Sequence, residues 1–142
     1  KQQDPFALFC SWEMLAKLKN EGITILVSTP YMDEASMCDR IALIQDGEFL
    51  KIDTPQHIIQ QYRNTLWSVR SDRMSQLLKD LRGHEAVLSC FAFGDNHHVS
   101  LAKETTIRRE DLTSFLQDKG HTNIELFAIE AGIEDCFMEL TI

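Results

Sequence analysis

With 142 residues, 44% of them hydrophobic and 25% charged, the chain can bury one ordinary core or two small ones, which excludes a disordered or fibrous protein. A net charge of −8, with Arg108-Arg109 as the sole adjacent basic pair, excludes a broad nucleic-acid surface, which needs clustered cations; no nucleic-acid partner is expected. No apolar stretch approaches the roughly 20 residues that span a bilayer, so membrane association would run through a partner.

Asp4-Pro5 opens a predicted helix, Asp as cap and Pro at the first helical position, where its missing N–H costs nothing. Leu8, Trp12, Leu15 and Ala16 form its apolar stripe, it runs to about Asn20, and Gly22 stops it. Ile23 to Ser28 is a largely β-branched run that predicts a strand buried on both faces, and a helix followed by such a strand implies a parallel α/β sheet. Met32 to Cys38 can form a short helix. Ile41–Ile44 and Glu48–Ile52 then flank Asp46-Gly47, a strong hairpin signal, and Thr54-Pro55 caps a helix to about Tyr62.

From Thr65 the periods change. A strand to about Arg70 precedes a helix with Met74, Leu77, Leu78 and Leu81 on one face and Gly83 as its stop. Alternation at Val87, Ser89, Phe91 and Phe93, a turn at Gly94-Asp95-Asn96, and Val99 with Leu101 predict a hairpin. Leu112, Phe115 and Leu116 mark a helix ended by Gly120, and Asn123 to Ile129 predicts a further strand. The order β-α-β-β-α-β is the split βαβ arrangement, with two helices on one face of a four-stranded antiparallel sheet. A last helix carries Ile133, Cys136, Phe137 and Leu140 on one stripe and needs an apolar surface to dock on.

The stretch Ile25 to Ala35, then Cys38-Asp39-Arg40-Ile41, Asp46-Gly47-Glu48 and Asp53-Thr54-Pro55, closely resembles the end of an ATP-binding-cassette ATPase domain, in order and over about fifty residues. The closing Ala131-Gly-Ile-Glu-Asp-Cys-Phe137 is similar to the accessory tail of the drug-export, ABC-2-type branch. The resemblance implies an α/β chain: residues 1–62 as the C-terminal remnant of a P-loop ATPase α/β sheet, and 63–142 as a ferredoxin-like βαββαβ domain with a terminal helix. It also implies ATP and Mg²⁺ as cofactors of the intact parent. Partners would be a second nucleotide-binding domain and a transmembrane permease, in the cytoplasm and peripheral to the inner membrane.

Asp4, Thr29 and Pro30 are the nucleotide-interface residues that the resemblance selects. Pro30 stands where the family places a histidine that reaches the terminal phosphate, and proline has no donor to offer. Two accounts compete: a degenerate nucleotide site, which we favour, or a site that positions water by other groups. No Gly-Lys dipeptide and no apolar strand ending in Asp-Glu occur, so neither the phosphate loop nor the metal-binding carboxylates belong to this chain, and no catalytic or metal residue is expected in it. Alone it should not turn over ATP.

An alternative from another class reads the βαββαβ segment as a ligand-sensing or dimerisation module. Self-association through an exposed edge of the Ile23–Ser28 strand is also expected. Asp33 and Glu34 read as a solvated helix face, and His57, His84 and His121 as isolated residues beside caps or turns. His97 and His98, neighbours on a strand, point to opposite faces and cannot together chelate one ion. Trp12, Trp67, Phe91, Phe93, Phe115 and Phe127 read as packing residues. The cysteines, far apart, read as reduced thiols.

Overall fold

In the computed structural model, which describes residues 5–142 and side chains from Trp12 onward, the chain divides into two units, Lys1–Tyr31 and Met32–Ile142. The first holds α1 (Pro5–Asn20), with Pro at its opening position. Its end is a left-handed stop: Gly22 takes φ +90°, its N–H donates to the Lys19 carbonyl, and the Ile23 N–H donates to that of Leu18. Trp12 and Leu15 are half-buried, short of the core position expected for the tryptophan. Asp4, expected as a cap and as an interface residue, lies outside the described residues.

The strand expected at Ile23–Ser28 does not form. A strand exists only as a member of a ladder, and among the described residues none pairs with this segment. Leu26 is 98% exposed, and Ile23 and Val27 are also open. The apolar, β-branched character is present, whereas no parallel neighbour that would bury it occurs among the described residues.

The second unit begins with α2 (Met32–Ala35), a single turn, followed by β1 (Ile41–Gln45) and β2 (Glu48–Asp53). Asp46 and Gly47, at φ 52° and 80°, supply the two left-handed residues of a tight hairpin, and the ladder runs antiparallel from Gln45↔Glu48 to Ile41↔Asp53. Thr54 caps α3 (Pro55–Gln60): its Oγ1 accepts the His57 N–H at 3.2 Å, with Pro55 at the first helical position.

Next come β3 (Thr65–Arg70), α4 (Met74–Arg82), β4 (Val87–Phe93), β5 (Asn96–Leu101), α5 (Arg109–Asp118) and β6 (Glu125–Ala128). The β-α-β-β-α-β order folds into one sheet with strand order β4-β5-β3-β6, antiparallel at every pairing. Both sheets of the described residues are antiparallel, so the chain is mixed α/β without the parallel sheet expected upstream. At the outer strand β4 the Arg82 side chain folds over, its Nε donating to the Cys90 carbonyl at 2.9 Å.

One sheet face is oil. Trp67, Val69, Val99 and Leu101 alternate inward from β3 and β5 against Leu77 and Leu81 of α4 and Leu112 and Leu116 of α5, all buried. Removing each such side chain from water contributes about 1.5–3 kcal/mol. The opposite face carries Ser68, Ser100, Ser89, His98, Phe91, Phe93 and Phe127, as the register requires. Phe127 is 45% exposed, so its expected role in packing is not realised.

The final helix, α6 (Ile133–Leu140), finds its apolar surface in a second cluster. Ile133 and Cys136 are buried with Ala35 of α2, Ile41 and Leu43 of β1, and Ile58 of α3. The end of the chain thus returns to the segment before residue 62. No helix of the described residues is long and apolar enough to cross a membrane.

Candidate functional site

Thr29 and Pro30 sit in an irregular segment after α1, Thr29 half-buried and Pro30 exposed. The Thr29 Oγ1 accepts the Tyr31 N–H at 3.0 Å, which folds the segment back on itself and leaves the Thr29 hydroxyl proton free to donate. Pro30 supplies neither donor nor charge. A nucleoside triphosphate with Mg²⁺ needs several amide or cationic donors and a carboxylate ligand, and this pair does not fit that demand by itself. The two residues can contribute one hydroxyl and a rigid turn to a site completed elsewhere.

The richest polar geometry lies in the second unit, along the polar face of the four-stranded sheet. His98 Nδ1 lies 2.6 Å from Asp135 Oδ1, and its ring stacks on Phe93 at 4.2 Å between centroids. Asn64 Nδ2 donates to Glu139 Oε1 at 2.9 Å. Burial, followed by the charges of Glu139 and Asp135, pushes the Tyr62 phenol far above its ordinary range, while a hydrogen bond with Ser100 opposes that rise. Glu134 is also raised, first by burial and then by Asp135 and Asp33. Beside this seam opens a shallow cleft of about 240 Å³, with Lys51, Arg63 and Glu139 at its rim and Ile58 and Cys136 at its floor.

His97 points the other way, its Nε2 2.8 Å from the Met74 carbonyl and its Nδ1 buried without a partner. The two adjacent histidines therefore serve opposite faces of β5, as the alternation predicts.

A constellation unforeseen in the sequence joins Ser71, His121 and Asp80. Ser71 Oγ is 2.9 Å from His121 Nδ1, and His121 Nε2 is 2.7 Å from Asp80 Oδ2. His121 does follow the turn at Gly120, but it is not isolated: its side chain is fully buried and bonded to Ser71 and Asp80. The hydrogen bond from His121 holds the Asp80 carboxyl below the usual carboxylate range, which favours the charged form. The Asp80 carboxylate accepts from Nε2, and the Ser71 oxygen, which also accepts the Arg73 N–H at 3.2 Å, makes the ring's second contact at Nδ1. With Arg73 on Ser71 and Gln76 Nε2 donating to Asp80 Oδ1 at 3.0 Å, the three residues find their partners within the protein. This is a fastening between loops, with no open face for a substrate. Ser71, Asp80 and His121 are too far apart in sequence for any local period to bring them together.

Other expectations divide. Glu34 is buried while Asp33 is exposed, so the pair is not one solvated face. Arg108, exposed at the start of α5, donates its N–H to Asp111 Oδ2 at 2.9 Å. Cys38, Cys90 and Cys136 are free thiols; burial pushes Cys90 up to about 12 and Cys136 to about 11, which keeps both protonated and poorly nucleophilic at neutral pH.

No family model matches the chain. It is similar to "Nod factor export ATP-binding protein I" of Burkholderia orbicola, 31% identical over 97% of this chain and 43% of that protein. The protein of the same name in Burkholderia lata is 29% identical over 97% and 43%. A further relative is "Probable multidrug ABC transporter ATP-binding protein YbhF" of Escherichia coli, 29% identical over 96% of this chain and 23% of its own length. The chain spans less than half the length of these curated relatives.

Proposed function

This chain's homologues, over almost all of its length, are ABC transporter ATP-binding proteins, and from that premise we propose that it is part of the ATP-binding subunit of an export transporter. The observation that carries this reading is the extent of the match, which runs through both the Thr29–Thr54 region and the later sheet. In the intact subunit, residues 1–62 finish the nucleotide-binding domain. Residues 63–142 form a ferredoxin-like accessory domain, a reading supported by its β-α-β-β-α-β order and β4-β5-β3-β6 sheet. ATP and Mg²⁺ bind at a surface to which Asp4, Thr29 and Pro30 belong, shared with a second nucleotide-binding domain, and the subunit drives a permease from the cytoplasmic face of the inner membrane. The chemistry of ATP hydrolysis comes from groups outside this chain. Thr29 contributes at most one hydroxyl donor, and Pro30 a turn.

Two assays test the proposal. The purified chain with Mg-ATP should release no phosphate above buffer, and measurable turnover would overturn it. In the full-length subunit, Pro30→His should leave turnover unchanged or raise it, since it restores a donor at the phosphate; loss of turnover would instead mean that the proline is part of a working site.

A further inference from the structure

Helix α6 is two-sided. Ile133, Cys136 and Phe137 enter the apolar cluster with Ala35 of α2 and Ile58 of α3. Asp135 and Glu139, four residues apart and so on one face, meet the sheet module instead: Asp135 Oδ1 takes His98 from β5, and Glu139 Oε1 takes Asn64 from the approach to β3. The second Asp135 oxygen accepts the Gly132 N–H at 2.9 Å. One carboxylate therefore both grips the sheet and closes the first turn of α6.

What α6 covers matters because α2 is a single turn of helix. Four residues cannot hold a helix by their own hydrogen bonds, so α2 stands only by packing, and Ala35 packs in the cluster to which α6 contributes Ile133 and Cys136. In sequence, α2 starts directly after Thr29-Pro30-Tyr31. We propose that α6 is a strut through which the four-stranded sheet fixes α2, the anchor from which the Thr29–Pro30 segment is tethered. The positioning residues are His98, Asn64, Asp135 and Glu139. The strut rests on contacts alone; only its consequence for ATP turnover rests on the interface reading of Thr29 and Pro30.

Hydrogen exchange on this chain, read by mass spectrometry, tests it. In the double variant His98→Ala/Asn64→Ala, amides of 133–140 and of 32–38 should both exchange roughly tenfold faster, while those of α4 and α5 keep their protection. His98→Asn, whose amide can stand in for the ring Nδ1–H, should restore most of the protection. Faster exchange in α6 with α2 unchanged, or no change in either, overturns the strut. Should the double variant lose protection everywhere, Asp135→Ser is read in the same way, since it keeps a polar group near the Gly132 N–H but is too short to reach His98. The same substitutions in the full-length subunit separate the two readings. Loosened α2 with unaltered ATP turnover would sink the interface role of Thr29 and Pro30 and leave the strut standing.

Discussion

Two buried histidines show how much a partner is worth. His121 uses both ring nitrogens, whereas His97 uses one and carries the other as an orphan. Replacing His121 with Leu strands Asp80 and Ser71 and should cost about 2–3 kcal/mol in urea unfolding. His97→Leu removes the orphan along with one bond to a carbonyl at the start of α4, and should change stability by less than about 1 kcal/mol. An equal, large loss in both would show that Nδ1 of His97 is satisfied. The His121 bond also sets a pH dependence. Asp80 is held below its unfolded value near 3.9, so its stabilisation is complete above that pH and fades as pH falls through the lower folded value. Asp80→Asn should lower stability at pH 7 and flatten the acid limb of the stability curve. An acid limb identical to the parent's would assign that sensitivity to other carboxylates. None of this was legible in the sequence, because a histidine's partners are set by which loops the fold brings together.

Local elements were more readable, since their causes are local. Asp46-Gly47, Thr54-Pro55, Gly22 and Gly83 fix turns and ends through neighbouring atoms, and each does so in the structure. Gly47 has open space where a Cβ would go but holds φ +80°, so Gly47→Ala should cost about 1 kcal/mol through backbone strain alone, seen as a lowered unfolding midpoint. A neutral result would mean that the turn relaxes to another type. The strand expected at Ile23–Ser28 failed for the converse reason. Its composition is that of a buried strand, but a ladder is a property of two segments, and a single sequence window describes one. The candidate residues Thr29 and Pro30 share that limit: they could be named from a resemblance, yet one hydroxyl and a proline do not make a site by themselves.

At the scale of the molecule, exposed apolar side chains of the described residues include two groups of neighbours. Ile23, Leu26 and Val27 lie open in the first unit, and Ile44, Phe49 and Ile52 share the outer face of the β1–β2 hairpin. Such patches draw partners. Purified alone, the chain should sediment as a concentration-dependent oligomer, and Leu26→Asp should shift it towards monomer; a concentration-independent monomer would rule out association by these surfaces. The order of the β-α-β-β-α-β sheet was accessible from periodicity, because alternation of 2 and repeats near 3.6 report which face each element buries. The return of α6 to α2 and α3 was not. Its sequence announced an apolar stripe in need of cover without saying which surface would provide it.

Arg82, laid across the Cys90 carbonyl, gives association a direction. Strand addition that joined β4 of one copy to β6 of the next would repeat without end and build a fibre, whereas β6 against β6 closes on itself after two. Arg82 occupies one carbonyl of β4, so a strand added along that edge must first displace it, and this disfavours open-ended β4-to-β6 growth relative to the closed β6–β6 pair.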